Sequence, residues 1–128
     1  MSLDIDFCHV NPCFDITCDD YEDQYITDAT YNITHNLNIM AEHVPLSNGF
    51  TLYDILWCGN EITPKINKAD QLTSLLIEGL KYMVDHEDEL LQYNARNGWG
   101  NFNNLLEFVS ECLIASFKYP NDKVIYSK

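Results

Sequence analysis

The sequence predicts an α+β domain, with three or four helices packed on a small antiparallel sheet formed by the N- and C-terminal segments. Three observations carry that expectation. Residues 3–7 alternate apolar and acidic side chains (Leu3, Asp4, Ile5, Asp6, Phe7), the period-2 pattern of a strand with one wet face. Between residues 37 and 119, apolar side chains recur three and four apart, the period of helices with one buried stripe. Lys123-Val124-Ile125-Tyr126-Ser127 returns to strand-like composition after the stop-and-turn signal Tyr119-Pro120-Asn121-Asp122. It is the natural partner of the first strands and would tie the two ends together.

The chain of 128 residues reads as one domain. Residues 1–30 form a strand- and loop-rich acidic segment, 31–119 are helical, and 120–128 hold the C-terminal strand. After residues 3–7, Asn11-Pro12 marks a turn, and 14–18 alternates again, which predicts a hairpin. The acidic cluster 19–23 reads as a solvated loop, with a further short strand at 25–27. Leu37, Met40, Ala41 and Val44 predict a short helix, capped by Asn32 or Thr34 and stopped near Pro45. Thr51 with Asp54 three residues on resembles a capping box for one or two turns ending at Trp57. Asn67 is the expected cap of a long helix over about 68–84, striped by Leu72, Leu75, Leu76, Leu80 and Met83. Gly79 falls on that stripe and predicts close approach of another backbone. The acids of 85–89 begin a further helical turn, where they complement the helix dipole. A last helix over about 101–118 carries the expected stripe Phe102, Leu105, Leu106, Val109, Leu113 and Phe117.

Charge is the strongest compositional feature. The formal net charge is −13, which disfavours direct nucleic-acid binding and docking on an anionic membrane surface. Residues 1–64 hold eleven acids and no Lys or Arg, so the amino-terminal half is either a solubilising surface or a face for a basic partner. No run approaches the apolar length of a membrane span. Five cysteines, an odd count, argue against a closed disulfide framework, and the start lacks a basic region followed by an apolar one. The expected compartment is the reducing cytoplasm.

Cys8, His9, Cys13 and Cys18 raise a zinc reading, but the cysteines are five apart and no second pair follows. The expectation is therefore no metal and no cofactor. Phosphate-cradling glycine loops are absent, and no set of nucleophile, base and orienting group is legible. No catalytic residue is assigned, and an enzyme using His35 or a cysteine stands only as an alternative. The remaining signal is amide-rich sequence mixed with rings, in residues 31–38 and 94–104. Such residues read hydrogen-bonding edges while a ring stacks on a flat ligand. The expected binding residues are Tyr31, Asn32, Thr34, His35, Asn36, Trp57, Asn97, Trp99 and Asn101, converging on one hollow. The competing structural reading is that the asparagines cap helices and fix turns while the tryptophans fill the core.

The stretches Tyr31-Asn32-Ile33-Thr34-His35-Asn36-Leu37, Met40-Ala41, Leu56-Trp57, Asn97-Gly98-Trp99-Gly100-Asn101 and Tyr119-Pro120 resemble a family of small proteins from bacteriophages and other mobile elements of bacteria. The resemblance spans about residues 31–125 and leaves out the first 30. Those relatives commonly place Asn-Pro before the Asn-Gly-Trp-Gly motif, where this chain has Asn94-Ala95-Arg96. The resemblance implies context rather than mechanism: an accessory protein expressed in the cytoplasm of a bacterial host. Together with the residues, it gives the expectation of non-catalytic binding of a small polar or nucleotide-like ligand or of a host protein, with counter-defence as a purpose. The alternative is a nucleic-acid mimic that occupies the basic groove of a host nuclease or restriction factor. Oligomeric state is left open.

Overall fold

The computed structural model describes residues 2–11, 25–98 and 100–128. The expected strand 14–18, the acidic cluster 19–23, Cys13, Cys18 and Trp99 lie outside the described residues. The architecture is α+β, with five helices packed against a three-stranded antiparallel sheet in the order β2-β1-β3. Strand β1 (Ser2–Val10) is central, with β2 (Tyr25–Thr34) on one edge and β3 (Lys123–Ser127) on the other. The N- and C-terminal segments are therefore joined in one sheet, as their composition predicts.

The alternation in β1 sorts its faces: Leu3, Ile5 and Phe7 are fully buried, while Asp4 and Asp6 keep access to water. The short strand expected at 25–27 runs on to Thr34, so residues 31–34 are strand rather than the approach to a helix. Ile33 and Tyr31 pair with Leu3 and Ile5, which puts β-branched and aromatic side chains on the core face. On the outer face, the Asn32 amide donates to Ser2 Oγ (2.9 Å) and Asp4 Oδ1 (2.6 Å), and the Thr30 hydroxyl donates to Asp6. Asn32 thus bridges strands and caps nothing. Thr34 is the cap, accepting from Asn36 N–H at 3.3 Å at the start of a 3-10 turn, His35–Leu37, that leads into α1 (Asn38–Glu42).

Helix α2 (Leu52–Trp57) opens on the predicted capping box: Asp54 N–H donates to Thr51 Oγ1 (3.3 Å) and Thr51 N–H to Asp54 Oδ2 (2.9 Å). Helix α3 (Asp70–Asp85) begins without a side-chain N-cap. Instead of Asn67, it is Gln71 that folds back, its Oε1 accepting from Asn67 N–H (3.0 Å) and Lys68 N–H (2.9 Å). Gly79 is buried, and the group approaching it is the Leu52 side chain rather than a backbone. A short α4 (Glu87–Leu90) follows, then α5 (Phe102–Lys118), which packs along α3. The buried stripe of α5 is rotated from the expected one. Phe102, Leu105 and Val109 are buried as predicted, but Phe108 and Cys112 share the inward face, while Phe117 is 62% exposed. Among the described residues, no helix is long and apolar enough to cross a membrane.

The turn after α2 meets β3 at a close contact. A Cβ on Gly59 would strike the Tyr126 ring and stand 2.7 Å from Ile55 O, so only glycine lets that ring lie flat on the turn. The Tyr126 hydroxyl is sealed in this contact without a hydrogen-bond partner among the described residues, and burial pushes its pKa up. An unmade buried hydrogen bond costs about 1–3 kcal/mol. Tyr126→Phe is therefore expected to stabilise the fold by about 1 kcal/mol, and Gly59→Ala to destabilise it; urea denaturation of both variants measures the two signs.

Candidate functional site

The two amide-rich segments meet at Gly100. Its φ is +126°, and a Cβ there would stand 2.9 Å from Thr34 Cγ2 and 3.0 Å from Leu37 Cγ. A side chain would meet both strain and collision, so glycine is what lets the 94–101 loop lie against residues 34–37. The loop holds its own shape. Ala95 N–H donates to Gly100 O (3.0 Å), Gly98 N–H to Ala95 O (3.2 Å), and Phe102 N–H to Asn94 Oδ1 (2.8 Å). Asn101 and Asn104 exchange backbone-to-side-chain bonds of 3.0 Å each, a capping box that launches α5.

This contact has a groove on either side. One, of about 400 Å³, is lined by Asn32, Thr34, Gly100, Asn104, Phe108, Glu107 and Glu111. The other, also of about 400 Å³, is lined by Asn36, Ile39, Gln92, Tyr93, Asn94, Arg96 and Asn97. The first is acidic. The second carries Arg96, the chain's only arginine. Tyr93 there is stacked on His43, with ring centroids 4.1 Å apart, and His43 Nδ1–H donates to Ile39 O at 2.8 Å. That makes the Tyr93 ring a braced wall.

The predicted residues divide between these places. Asn32 and Thr34 line the acidic groove, and Asn36 and Asn97 line the arginine groove. Tyr31 lines neither; it packs edge-on against Phe7, with centroids 6.3 Å apart, and burial raises its pKa. Asn101 is occupied by its capping box. Trp57 is 1% exposed, packed against Tyr53 and Phe108, and offers no face to a ligand. The expectation that it joins the binding surface is corrected: it is core. Its Nε1–H donates to His35 Nδ1 at 3.0 Å. An indole nitrogen only donates, so His35 accepts at Nδ1 and carries its proton on Nε2. Trp99 lies outside the described residues.

Among the described residues, no cysteine hydrogen-bonds to a histidine. Cys8 contacts Thr27 Oγ1 at 3.6 Å, and burial pushes its thiol up. Cys112 is fully buried, and its thiol is pushed up for the same reason. Both are therefore held as thiols rather than nucleophilic thiolates.

One cluster escaped sequence reasoning altogether. The β1–β2 register shifts between Phe7 and Cys8: Phe7 pairs with Ala29 and Cys8 with Thr27. Asp28 is the extra residue of this bulge, a device that re-aims a side chain. Its Oδ2 lies 2.7 Å from His9 Nδ1. Asp122, in the turn before β3, completes the group, and one ligand atom from each of the three residues lies within 4.8 Å of the others. Asp122 is only 6% exposed, and its Oδ2 has no hydrogen-bond partner among the described residues. Burial, then the adjacent Asp28, pushes its carboxyl up to about 6, while contacts to Asp122 and His9 hold Asp28 below its usual range.

Two outcomes follow. Gly100→Ala is expected to lose roughly 1–3 kcal/mol, with part of the loss recovered by adding Thr34→Ala; a double-mutant cycle in urea reads the coupling. For Asp122, the folded pKa lies above the unfolded one, so its favourable contribution is complete below pH 4 and gone above about 6. Asp28 shifts the other way and changes only below the ordinary carboxylate range, outside that window. In chelator, Asp122→Asn should therefore gain on the wild type by roughly 2 kcal/mol between pH 4 and 7.5, as measured by denaturant midpoints.

Comparison with protein-family models, with curated proteins and with solved structures finds no match to this chain.

Proposed function

We propose that the protein is a non-catalytic binding protein, and that its ligand is a small polar, nucleotide-like molecule taken up in the groove of Asn36, Gln92, Tyr93, Arg96 and Asn97. The observation that carries this reading is the contact at Gly100, which brings residues from both amide-rich segments to the walls of one groove. The groove combines amide side chains, Gln92 among them with its Nε2–H on Glu89 O, an aromatic wall and a single fixed positive charge. That is the chemistry of an anionic, planar, hydrogen-bonding ligand, since Arg pairs with phosphate or carboxylate in a fork. The groove on the other side of the contact carries Glu107 and Glu111 and repels such a ligand.

The mimic of nucleic acid needs carboxylates gathered on one face. Among the described residues, exposed acids are carried by α1 (Glu42), the turn after α2 (Glu61), α3 (Asp70, Asp85), α4 (Glu87, Asp88, Glu89) and α5 (Glu107). The bacterial-host and counter-defence context rests on the resemblance of residues 31–125 to phage-associated proteins and is part of the same proposal.

Native mass spectrometry of protein purified from a bacterial host tests it. The expected result is a retained adduct of nucleotide size, or uptake of an added nucleoside monophosphate, that Arg96→Ala weakens about tenfold or more. A bare polypeptide mass that added nucleotides do not shift would overturn the proposal.

A further inference from the structure

We infer that His9, Asp28 and Asp122 form a binding site for one divalent transition-metal ion, a site separate from the groove. One imidazole nitrogen and two carboxylates are a mixed donor set that suits Zn²⁺ or Mn²⁺. The three residues come from three different places, β1, the bulge of β2 and the turn before β3, and converge to within 4.8 Å. Two of the three are fixed by the backbone. The bulge sets Asp28, and Asp122 is held by its N–H on Tyr119 O (3.0 Å) and by its carbonyl accepting from Ala69 N–H (2.8 Å).

The buried carboxylate is the independent observation that points to an ion. Asp122 is 6% exposed, faces a second carboxylate, and leaves one oxygen without a partner. A buried carboxylate is retained where a counter-charge meets it. Among the described residues, no Lys or Arg ion-pairs with Asp28 or Asp122, and the His9 imidazole is turned toward Asp28. The chain's net charge of −13 attracts cations, and the bases at this end of the sheet, Lys68 and Lys123, make no ion pair with the cluster. A divalent ion answers both carboxylates at once.

The geometry admits it with small movements. Nitrogen and oxygen ligands about 2.0–2.2 Å from a tetrahedral ion stand about 3.3 Å apart. The widest separation then closes by at most about 1.5 Å, and the 2.7 Å His9–Asp28 contact opens slightly. His9 has 44% of its side chain exposed, and its side is the entry path. Three protein ligands leave coordination positions for water or for a ligand carried in by the ion.

The test uses the full chain, stripped with chelator and held at physiological salt to suppress binding to scattered carboxylates. Mn²⁺ is followed by the loss of its free-ion paramagnetic resonance, and Zn²⁺ by the shift in melting temperature. The wild type should take up one Mn²⁺ and melt higher with Zn²⁺. Asp122→Asn and His9→Gln should each weaken Mn²⁺ binding at least about tenfold, while Glu107→Gln binds as the wild type does. Asp122→Asn is expected to fold at least as stably as the wild type in chelator, so its loss of binding is not a loss of fold. Three results would overturn the site: Mn²⁺ binding unchanged in Asp122→Asn; several weak equivalents that Glu107→Gln reduces equally; or Zn²⁺ binding that survives Asp122→Asn and disappears in Cys13→Ser/Cys18→Ser.

Discussion

Strand β1 is the constraint on which the rest of the structure depends. It is hydrogen-bonded along both edges, so it cannot shift by one residue without breaking two ladders at once. A one-residue slip would also turn Leu3, Ile5 and Phe7 out to water and bring Asp4 and Asp6 into the core. The pairing of Asp4 with Ser127 joins segments from opposite ends of the chain. Such a long-range contact carries a large loop-closure entropy, which the apolar layer beneath it must offset. The core is accordingly continuous from the sheet through Leu37 and Met40 to Leu72, Leu76, Leu105 and Val109.

A rigid sheet edge is also what gives the groove region its definition. Thr34 closes β2 and caps the next turn, so residues 34–37 are fixed from both sides. The 94–101 loop is fixed against them by Gly100 and by its own bonds. Most of the asparagines in this region are spent on that architecture: Asn32 between strands, Asn94 on Phe102 N–H, Asn101 and Asn104 on each other. The sequence motif is therefore in large part a structural signature. In the proposed reading, recognition falls to the side chains that line the groove between the capped positions, Tyr93 and Arg96 among them.

What was legible in the sequence was local. The alternation of β1, the capping box at Thr51, and the turn before β3 each rest on a few neighbouring residues, and each stands in the structure. The expected helical character of residues 31–34 gives way to strand because Tyr31, Ile33 and Leu37 satisfy both periods over so short a span; pairing with β1, a tertiary fact, decides for strand. The cap of α3 was misplaced because Gln71, one turn inside, reaches back to the same N–H groups that Asn67 was expected to serve. The stripe of α5 rotated because Phe108 and Cys112 offered an equally apolar line beside Leu106 and Leu113, and the core, with Trp57 against Phe108, covers that one. The His9–Asp28–Asp122 cluster had no sequence signal at all. It exists because a bulge turns Asp28 toward His9 and because β3 delivers Asp122 to the same end of the sheet.

Two buried polar atoms lack partners among the described residues, Tyr126 Oη and Asp122 Oδ2, and they are not equivalent. The tyrosine hydroxyl is neutral, and its place is set by the shape of the Gly59 turn. The carboxylate is ionisable and stands beside a second carboxylate, so its burden falls when it takes up a proton and, in the proposed site, when it meets a cation. A fold with an apolar core this continuous had cheaper side chains for that turn, and an asparagine would keep the shape without the charge. An acid in such a place, beside a histidine and in ion pair with no Lys or Arg among the described residues, fits the proposed ion better than packing alone. The bulge strengthens the argument, because a regular strand would have sent Asp28 elsewhere and left Asp122 alone.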